Sequence, residues 1–270
     1  MSAWTSFQQV RRASGTAWAT ALAVDRLFPV GLLRFWRPRI VTGEQLARQL
    51  DLILERWGMP KAERAVTVEM ILYADLHGID SHGCCMLPFY HQLWNAGDLN
   101  MQALVETVTD GPATALLDGG GGLGHVPARV AMDAAIDKAR EAGIALVTVR
   151  NSGHFGAAGV YARMAADAGM IGMVTTSTPT VSVVPTFGLD PALGTNPIAI
   201  AAPAARNAPF LLDMATSTVS LGKLLEYWRR GRFVPEGWAR NRQGGPVFNG
   251  RAAYALRRLT PLGGDRVHGG

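Results

Sequence analysis

Apolar residues recur at helical spacing soon after residue 40 and fall into strand-like runs only later. Leu46, Leu50, Ile53 and Leu54 lie on one face of a predicted helix that Thr42 caps and Gly58 and Pro60 close. A second helix is predicted over 61–76, turning Ala65, Val68, Met70, Ile71 and Ala74 towards a core. After the polar segment His77-Gly-Ile-Asp-Ser-His-Gly83 comes a short helix over 87–94. From Ala113 the texture alternates. Strands are predicted at 115–118, 144–149 (buried), 171–175, 197–202 and 210–213, with helices at 130–142 and 159–168. Such alternation predicts an α/β fold, with helices on a largely parallel or mixed sheet. No repeat of fixed period is visible.

Composition agrees with a globular chain: of 270 residues, 48% are hydrophobic and 17% charged, and 31 glycines imply many tight turns. The net charge of +5 is carried by the ends. Residues 1–39 hold Arg11, Arg12, Arg26, Arg34, Arg37 and Arg39 against the single acid Asp25. They form an atypical basic extension expected to lie outside the fold: a transit peptide, an interfacial segment or a stretch upstream of the true start. The middle is nearly balanced and has no basic stripe with interleaved aromatics, so neither a nucleic-acid nor a membrane partner is expected. No apolar run reaches the ~18–20 residues needed to span a bilayer. Cys84 and Cys85 are the only cysteines. Adjacent thiols rarely form a relaxed disulfide, which places the chain in a reducing, cytoplasmic setting.

Histidine titrates nearest neutral pH, and three histidines have glycine neighbours: His82, His125 and His154. Without tight ligand spacings no metal site is expected. The run Gly119-Gly-Gly-Gly-Leu-Gly124 is a poor dinucleotide fingerprint. His125, Val126 and Pro127 separate it from the expected helix, and Val147-Thr-Val-Arg150 ends in a base where an acid is needed. Gly194-Thr-Asn-Pro197 and Leu212-Asp-Met-Ala-Thr-Ser217 are polar interruptions between apolar runs. The latter is in line either to cap a helix running to Gly222-Lys223 or to offer backbone N–H groups to a phosphate.

Several motifs occur in a recognisable order: His77-Gly-Ile-Asp-Ser-His-Gly83, Arg150-Asn-Ser-Gly-His-Phe-Gly-Ala-Ala-Gly159, Leu193-Gly-Thr-Asn-Pro197, Asp213-Met-Ala-Thr-Ser217 with Gly222-Lys223, and Pro235-Glu-Gly-Trp238. From about Glu44 onwards the chain resembles the malate/L-lactate dehydrogenase-like oxidoreductases, a non-Rossmann class. The resemblance implies a helical N-terminal domain over 40–112, a central mixed-sheet nicotinamide-binding domain over 113–240, and a returning C-terminal segment that starts at 241. It also implies a homodimer, NAD or NADP as cofactor, and a small 2-hydroxy acid, 2-keto acid or cyclic imino acid as substrate. No separate reader of a 2′-phosphate is evident.

By the same resemblance, His82 and His154 are the acid/base candidates, with Ser81 and Arg150 beside them. Cofactor contacts are expected from Thr178, Thr195, Asn196 and Pro197, and from Phe210, Leu211, Leu212, Asp213, Met214, Ala215, Thr216 and Ser217. Three departures stand out. Relatives carry an arginine that clamps the substrate carboxylate where this chain has Met86, and Arg150 is one candidate to replace it. Asn241 and Asn249 stand where relatives often have aspartates. Relatives also continue past Gly270 into a lysine-glycine segment, so the chain reads as C-terminally truncated. Two readings of function follow: an NAD(P)-dependent oxidoreductase, or a non-catalytic remnant of one.

Overall fold

The computed structural model describes residues 40–263. The basic extension expected over 1–39 and the last residues of the returning segment, 264–270, lie outside these. The chain divides into two compact units between Ala96 and Gly97, earlier than the boundary expected at 112, because strand β1 (Glu106–Asp110) already pairs with β2 (Thr114–Asp118).

The first unit holds helices α1 (Gly43–Arg56), α2 (Lys61–Leu76) and α3 (Leu87–Ala96), with a 3₁₀ turn Cys84–Met86 leading into α3. Thr42 starts α1 through a reciprocal cap: its Oγ1 accepts the Gln45 N–H at 3.2 Å, and Gln45 Oε1 accepts the Thr42 N–H at 2.9 Å. Such a cap contributes about 1 kcal/mol. On α2 the buried stripe is Thr67, Met70, Ile71 and Ala74, joined by Tyr73. The expected inward residue Ala65 is exposed instead and Val68 is only half-buried. Arg64 accounts for the rotation. Its guanidinium reaches Asp51 at 2.9 Å and Glu55 at 3.0 Å on α1, which turns the 64-67-71-74 face inward. Leu50, Leu54 and Ile71 are fully buried there, each worth about 1.5–3 kcal/mol of transfer energy.

In the second unit β1, β2 and β3 (Leu146–Arg150) form a sheet in that order, β1–β2 antiparallel and β2–β3 parallel. Helix α4 (His125–Ala142) makes the crossover between β2 and β3. It opens at His125 rather than at 130, since Pro127 sits in the first turn, where a missing N–H costs nothing. The strand expected to be buried over 144–149 is covered on one face only: exposure alternates along β3, and Leu146 is 64% exposed.

The second sheet, β4 (Gly172–Thr175), β5 (Ile198–Ala202) and β6 (Phe210–Met214), is antiparallel throughout, so the expected largely parallel or mixed sheet is met by the mixed first sheet, whose one parallel pair is β2–β3. The β5–β6 link is short enough to need no crossover helix. Helix α5 (Ala158–Asp167) lies on this sheet, with Ala158, Ala162 and Ala166 packed on Ala199 and Ala201. These small side chains permit close approach: a Cβ on Gly172 would come within 2.6 Å of the Ala162 carbonyl. On the opposite face the register aligns Met173, Ile200 and Leu212, and Met173 is 61% exposed. Helices α6 (Leu221–Arg229) and α7 (Gly250–Leu256) close around Leu224, Val234, Ala253 and Leu259. Trp238 of the Pro235–Trp238 motif packs on Tyr227 at 4.9 Å between ring centres.

Asn241 and Asn249 both do acceptor work that an amide oxygen does as well as a carboxylate. Asn249 Oδ1 caps α7 by accepting the Ala252 N–H, and Asn241 Oδ1 accepts the N–H groups of Gln243 and Gly245. The drift from aspartate therefore leaves the local structure in place.

Candidate active site

In the first unit the chemistry-bearing pair is Ser81 and His82. They follow the end of α2, where His77 stacks on Tyr73 and its Nδ1 lies 2.8 Å from the Tyr73 carbonyl. Ser81 Oγ lies 2.8 Å from His82 Nδ1. A hydroxyl can donate or accept there, so the pair is compatible with either tautomer of His82 and with its cation. Burial, then the neighbouring half-buried Asp75, keeps the Cys84 thiol protonated, its pKa pushed far above the usual thiol value. Both cysteines are free, as expected. Met86 ends the 3₁₀ turn and is half-buried.

In the second unit the glycine run after β2 and the loop after β3 lie backbone to backbone. Gly119 N–H donates to the Arg150 carbonyl at 2.9 Å and Gly121 N–H to Asn151 at 2.8 Å. Gly153 N–H donates to Gly122 at 2.8 Å, and Gly124 N–H to His154 at 2.9 Å. The glycines are required by contact, not by a ligand. A Cβ on Gly122 would sit 2.6 Å from the Ala103 side chain, and one on Gly124 would collide with the Gly153 carbonyl. The run is thus no phosphate cradle. The non-Rossmann expectation stands on sheet topology, while the argument from an interrupted helix start does not, because α4 follows Gly124 directly.

His154 sits on this loop, half-buried, and its Nδ1 accepts the Gly156 N–H at 3.3 Å. Arg150, expected as a possible carboxylate clamp, gives its Nε–H to Asp118 at 2.9 Å. Asp118 is not among the residues the sequence reading singled out. The loop continues into α5, where the Gly159 N–H is taken by Asp213 Oδ2 at 2.7 Å. Asp213 therefore caps a helix 54 residues before it, not the one that follows it. Helix α6 is capped by Ser220, whose Oγ accepts the Lys223 N–H at 3.3 Å.

The polar residues around β6 do converge. Thr195 N–H donates to Thr178 Oγ1 at 3.1 Å, Thr178 N–H to Asn196 Oδ1 at 3.0 Å, and Thr216 gives both its N–H and its hydroxyl to the Thr195 carbonyl. Thr218 N–H goes to Thr260. The N–H groups of Thr216 and Thr218 are thus engaged by protein carbonyls, which removes them from the expected phosphate role. Ser217 is buried with its hydroxyl on the Val219 carbonyl. Phe210, Leu211, Leu212 and Asp213 are exposed along β6, while Met214, Ala215 and Pro197 are half-buried. Thr178 Oγ1, having accepted one N–H, retains its own proton to donate, so this corner offers neutral donors and acceptors of the kind a carboxamide or ribose takes. In that respect the residues fit a nicotinamide cofactor. Among the described residues, no group of three His, Cys, Asp or Glu side chains could hold a metal ion.

His125, the third glycine-flanked histidine, is no acid/base candidate: it is fully buried beside Gly124, and burial pushes its imidazole down to about 3. The folded state keeps it neutral while the unfolded chain binds a proton below about 6.5. Its contribution to stability is therefore complete above pH 6.5 and is lost as pH falls towards 3, by up to about 1.4 kcal/mol per pH unit. Urea midpoints should drop between pH 7.5 and 5, and drop less in a His125→Gln variant. Equal slopes in the two proteins would refute this assignment.

The sequence profile of malate/L-lactate dehydrogenase matches residues 41–270. The malate dehydrogenase of Pyrococcus horikoshii is 45% identical over 219 residues, covering 78% of this chain and 58% of that protein. The L-sulfolactate dehydrogenase of Methanocaldococcus jannaschii is 38% identical over 218 residues, covering 80% of this chain and 62% of its own length. The crystal structure of malate dehydrogenase from Entamoeba histolytica superposes with a TM-score of 0.82 at 33% identity, over 86% of this chain and 66% of that one. The chain thus spans about three fifths of the length of the curated relatives it matches. Motif order, the two small sheets and these matches agree: the chain belongs to the malate/L-lactate dehydrogenase family.

Proposed function

We propose that the protein is an NAD(P)-dependent dehydrogenase that interconverts a small 2-hydroxy acid and its 2-keto acid. The observation that carries this reading is that the chain running from His154 into α5 is tied by the Gly159–Asp213 hydrogen bond to β6, which leads three residues on into the Thr178–Thr195–Thr216 corner. It joins an imidazole to a neutral polar corner suited to a nicotinamide amide. When bound, the nicotinamide supplies or accepts the hydride at the carbon bearing the oxygen.

The chain's own residues manage the oxygen and its proton. With Nδ1 accepting from Gly156, neutral His154 carries its proton on Nε2, and a proton arriving at Nδ1 would set two N–H groups face to face. His154 is therefore suited to donate a hydrogen bond to the substrate oxygen and polarise it. His82, in the first unit, is the other acid/base candidate that the resemblance implies, and its Ser81 partner accommodates every protonation state. Malate and sulfolactate, after which two relatives are named, are 2-hydroxy acids with a second acidic group, and substrates of that class are proposed here; an imino acid is the nearest variant. The resemblance further supports a homodimer. Two free neighbouring cysteines support a cytoplasmic setting, and among the described residues no helix is long and apolar enough to cross a membrane.

A second reading, a family member without turnover, is favoured by one observation: Met86 in place of the expected arginine. Thermal unfolding with and without NADH and NADPH, followed by a panel of 2-hydroxy acids, separates the two. A transition raised by one cofactor, with turnover, is the expected result. A transition without turnover, raised by a cofactor or not, favours the second reading and defeats the first.

A further inference from the structure

We infer that Asp118 is a positioning residue for His154, clamping the loop that presents the imidazole. The inference rests on the proposed role of His154 at the substrate oxygen.

Asp118 ends β2, directly opposite Arg150 in the parallel β2–β3 register. Its carboxylate gathers three donors, one from the end of β3 and two from the loops that leave these strands. Oδ1 accepts the Gly120 N–H at 2.9 Å and the Asn151 side-chain N–H at 3.0 Å, and Oδ2 accepts the Arg150 Nε–H at 2.9 Å. Gly120 and Asn151 both adopt the left-handed region, at φ 60° and 49°. Glycine does so freely and asparagine is among the few side chains that tolerate it, so both turns bend back upon the carboxylate. The four backbone bonds between residues 119–124 and 150–154 then run on from this anchor to the His154 carbonyl itself. No slack remains along the way, since a side chain at Gly122 or Gly124 would strike Ala103 or Gly153. The ring thus takes its place from a carboxylate that does not touch substrate. The Gly120 N–H, then Asn151, then Arg150 hold the Asp118 carboxyl below the usual range, so the clamp is charged at neutral pH.

The test compares Asp118→Ala, Asp118→Asn and Asn151→Gly in the full chain. The His154 ring is observed by histidine-selective NMR and assigned with a His154→Gln control. Asp118→Ala should displace the His154 resonance and its titration midpoint. It should also lower kcat about 10–100-fold with cofactor KM within about twofold, the scale of loss from a small misplacement. Asp118→Asn, which keeps an acceptor for Gly120 and Asn151 but faces Arg150 with an N–H, should fall between. If Asp118→Ala does not fold, Asn151→Gly gives the same reading, because it keeps the left-handed turn and removes one clamp bond. A folded variant with an unmoved His154 resonance overturns the inference. Absence of turnover in the unmodified chain would instead defeat the proposed function, and the resonance comparison would still decide the positioning.

Discussion

Replacing His154 with alanine is expected to lower kcat by about 10²–10⁴-fold while leaving nicotinamide affinity nearly unchanged, the range typical of losing a positioned proton-handling group. The separation follows from the anchors. The loop is held through its backbone, by Gly124 on the His154 carbonyl and Gly153 on Gly122, so removing the imidazole leaves the clamp and the Thr178–Thr195–Thr216 corner standing. The hydrogen bond from Gly156 is lost with the ring, and water can satisfy that N–H on a half-buried loop. Steady-state kinetics and cofactor titration measure the two quantities separately. Parallel loss of both would show that the ring is part of the scaffold.

The second large effect is a gain. Met86→Arg is expected to raise kcat/KM for a 2-keto acid by about 10–100-fold, as a charge-assisted, bidentate contact with a carboxylate contributes roughly 1.5–3 kcal/mol. Met86 is half-buried at the end of the Cys84–Met86 turn, four residues after His82. A thioether offers only a weak acceptor there and no charge. The alternative clamp, Arg150, already gives its Nε–H to Asp118 and holds the His154 loop, so using it on substrate would compete with that duty. A panel of malate-like, lactate-like and cyclic imino acids would show where the new charge acts. No gain on any of them would mean that the carboxylate is bound elsewhere, or that the natural substrate has none.

Legibility in the sequence followed the range of the interactions. Thr42 and Gln45 lie three residues apart, so the start of α1 could be read directly from their types. The strands β2, β5 and β6 were equally plain, because short apolar runs between turn residues have few alternatives. What escaped was set by partners distant along the chain. Arg64 rotates α2 through Asp51 and Glu55, which moved Ala65 to the surface and drew Thr67 in. Asp213 looked like a cap for the helix after it, yet it serves Gly159 at the start of the helix packed on the second sheet. Asp118 went unnoticed because nothing in its neighbourhood of sequence announces a partner 32 residues on. The histidines and the threonine corner were identified through ordered motifs, not through spacing, and the separate roles proposed for His82 and His154 rest on their hydrogen bonds.

The two glycine-lined loops behave like a bearing machined without clearance, and this bears on how the proposed enzyme can diversify. Positions 122, 124 and 153 each face another main chain or side chain at less than the width of a methyl group. Changes of substrate preference must therefore be written elsewhere, at places such as Ser152, whose side chain is exposed, or on the first unit around Met86. A library that randomised the whole His154 loop would mostly sample broken bearings. One that spared its glycines and varied their exposed neighbours would leave the imidazole where it is and change only what meets it.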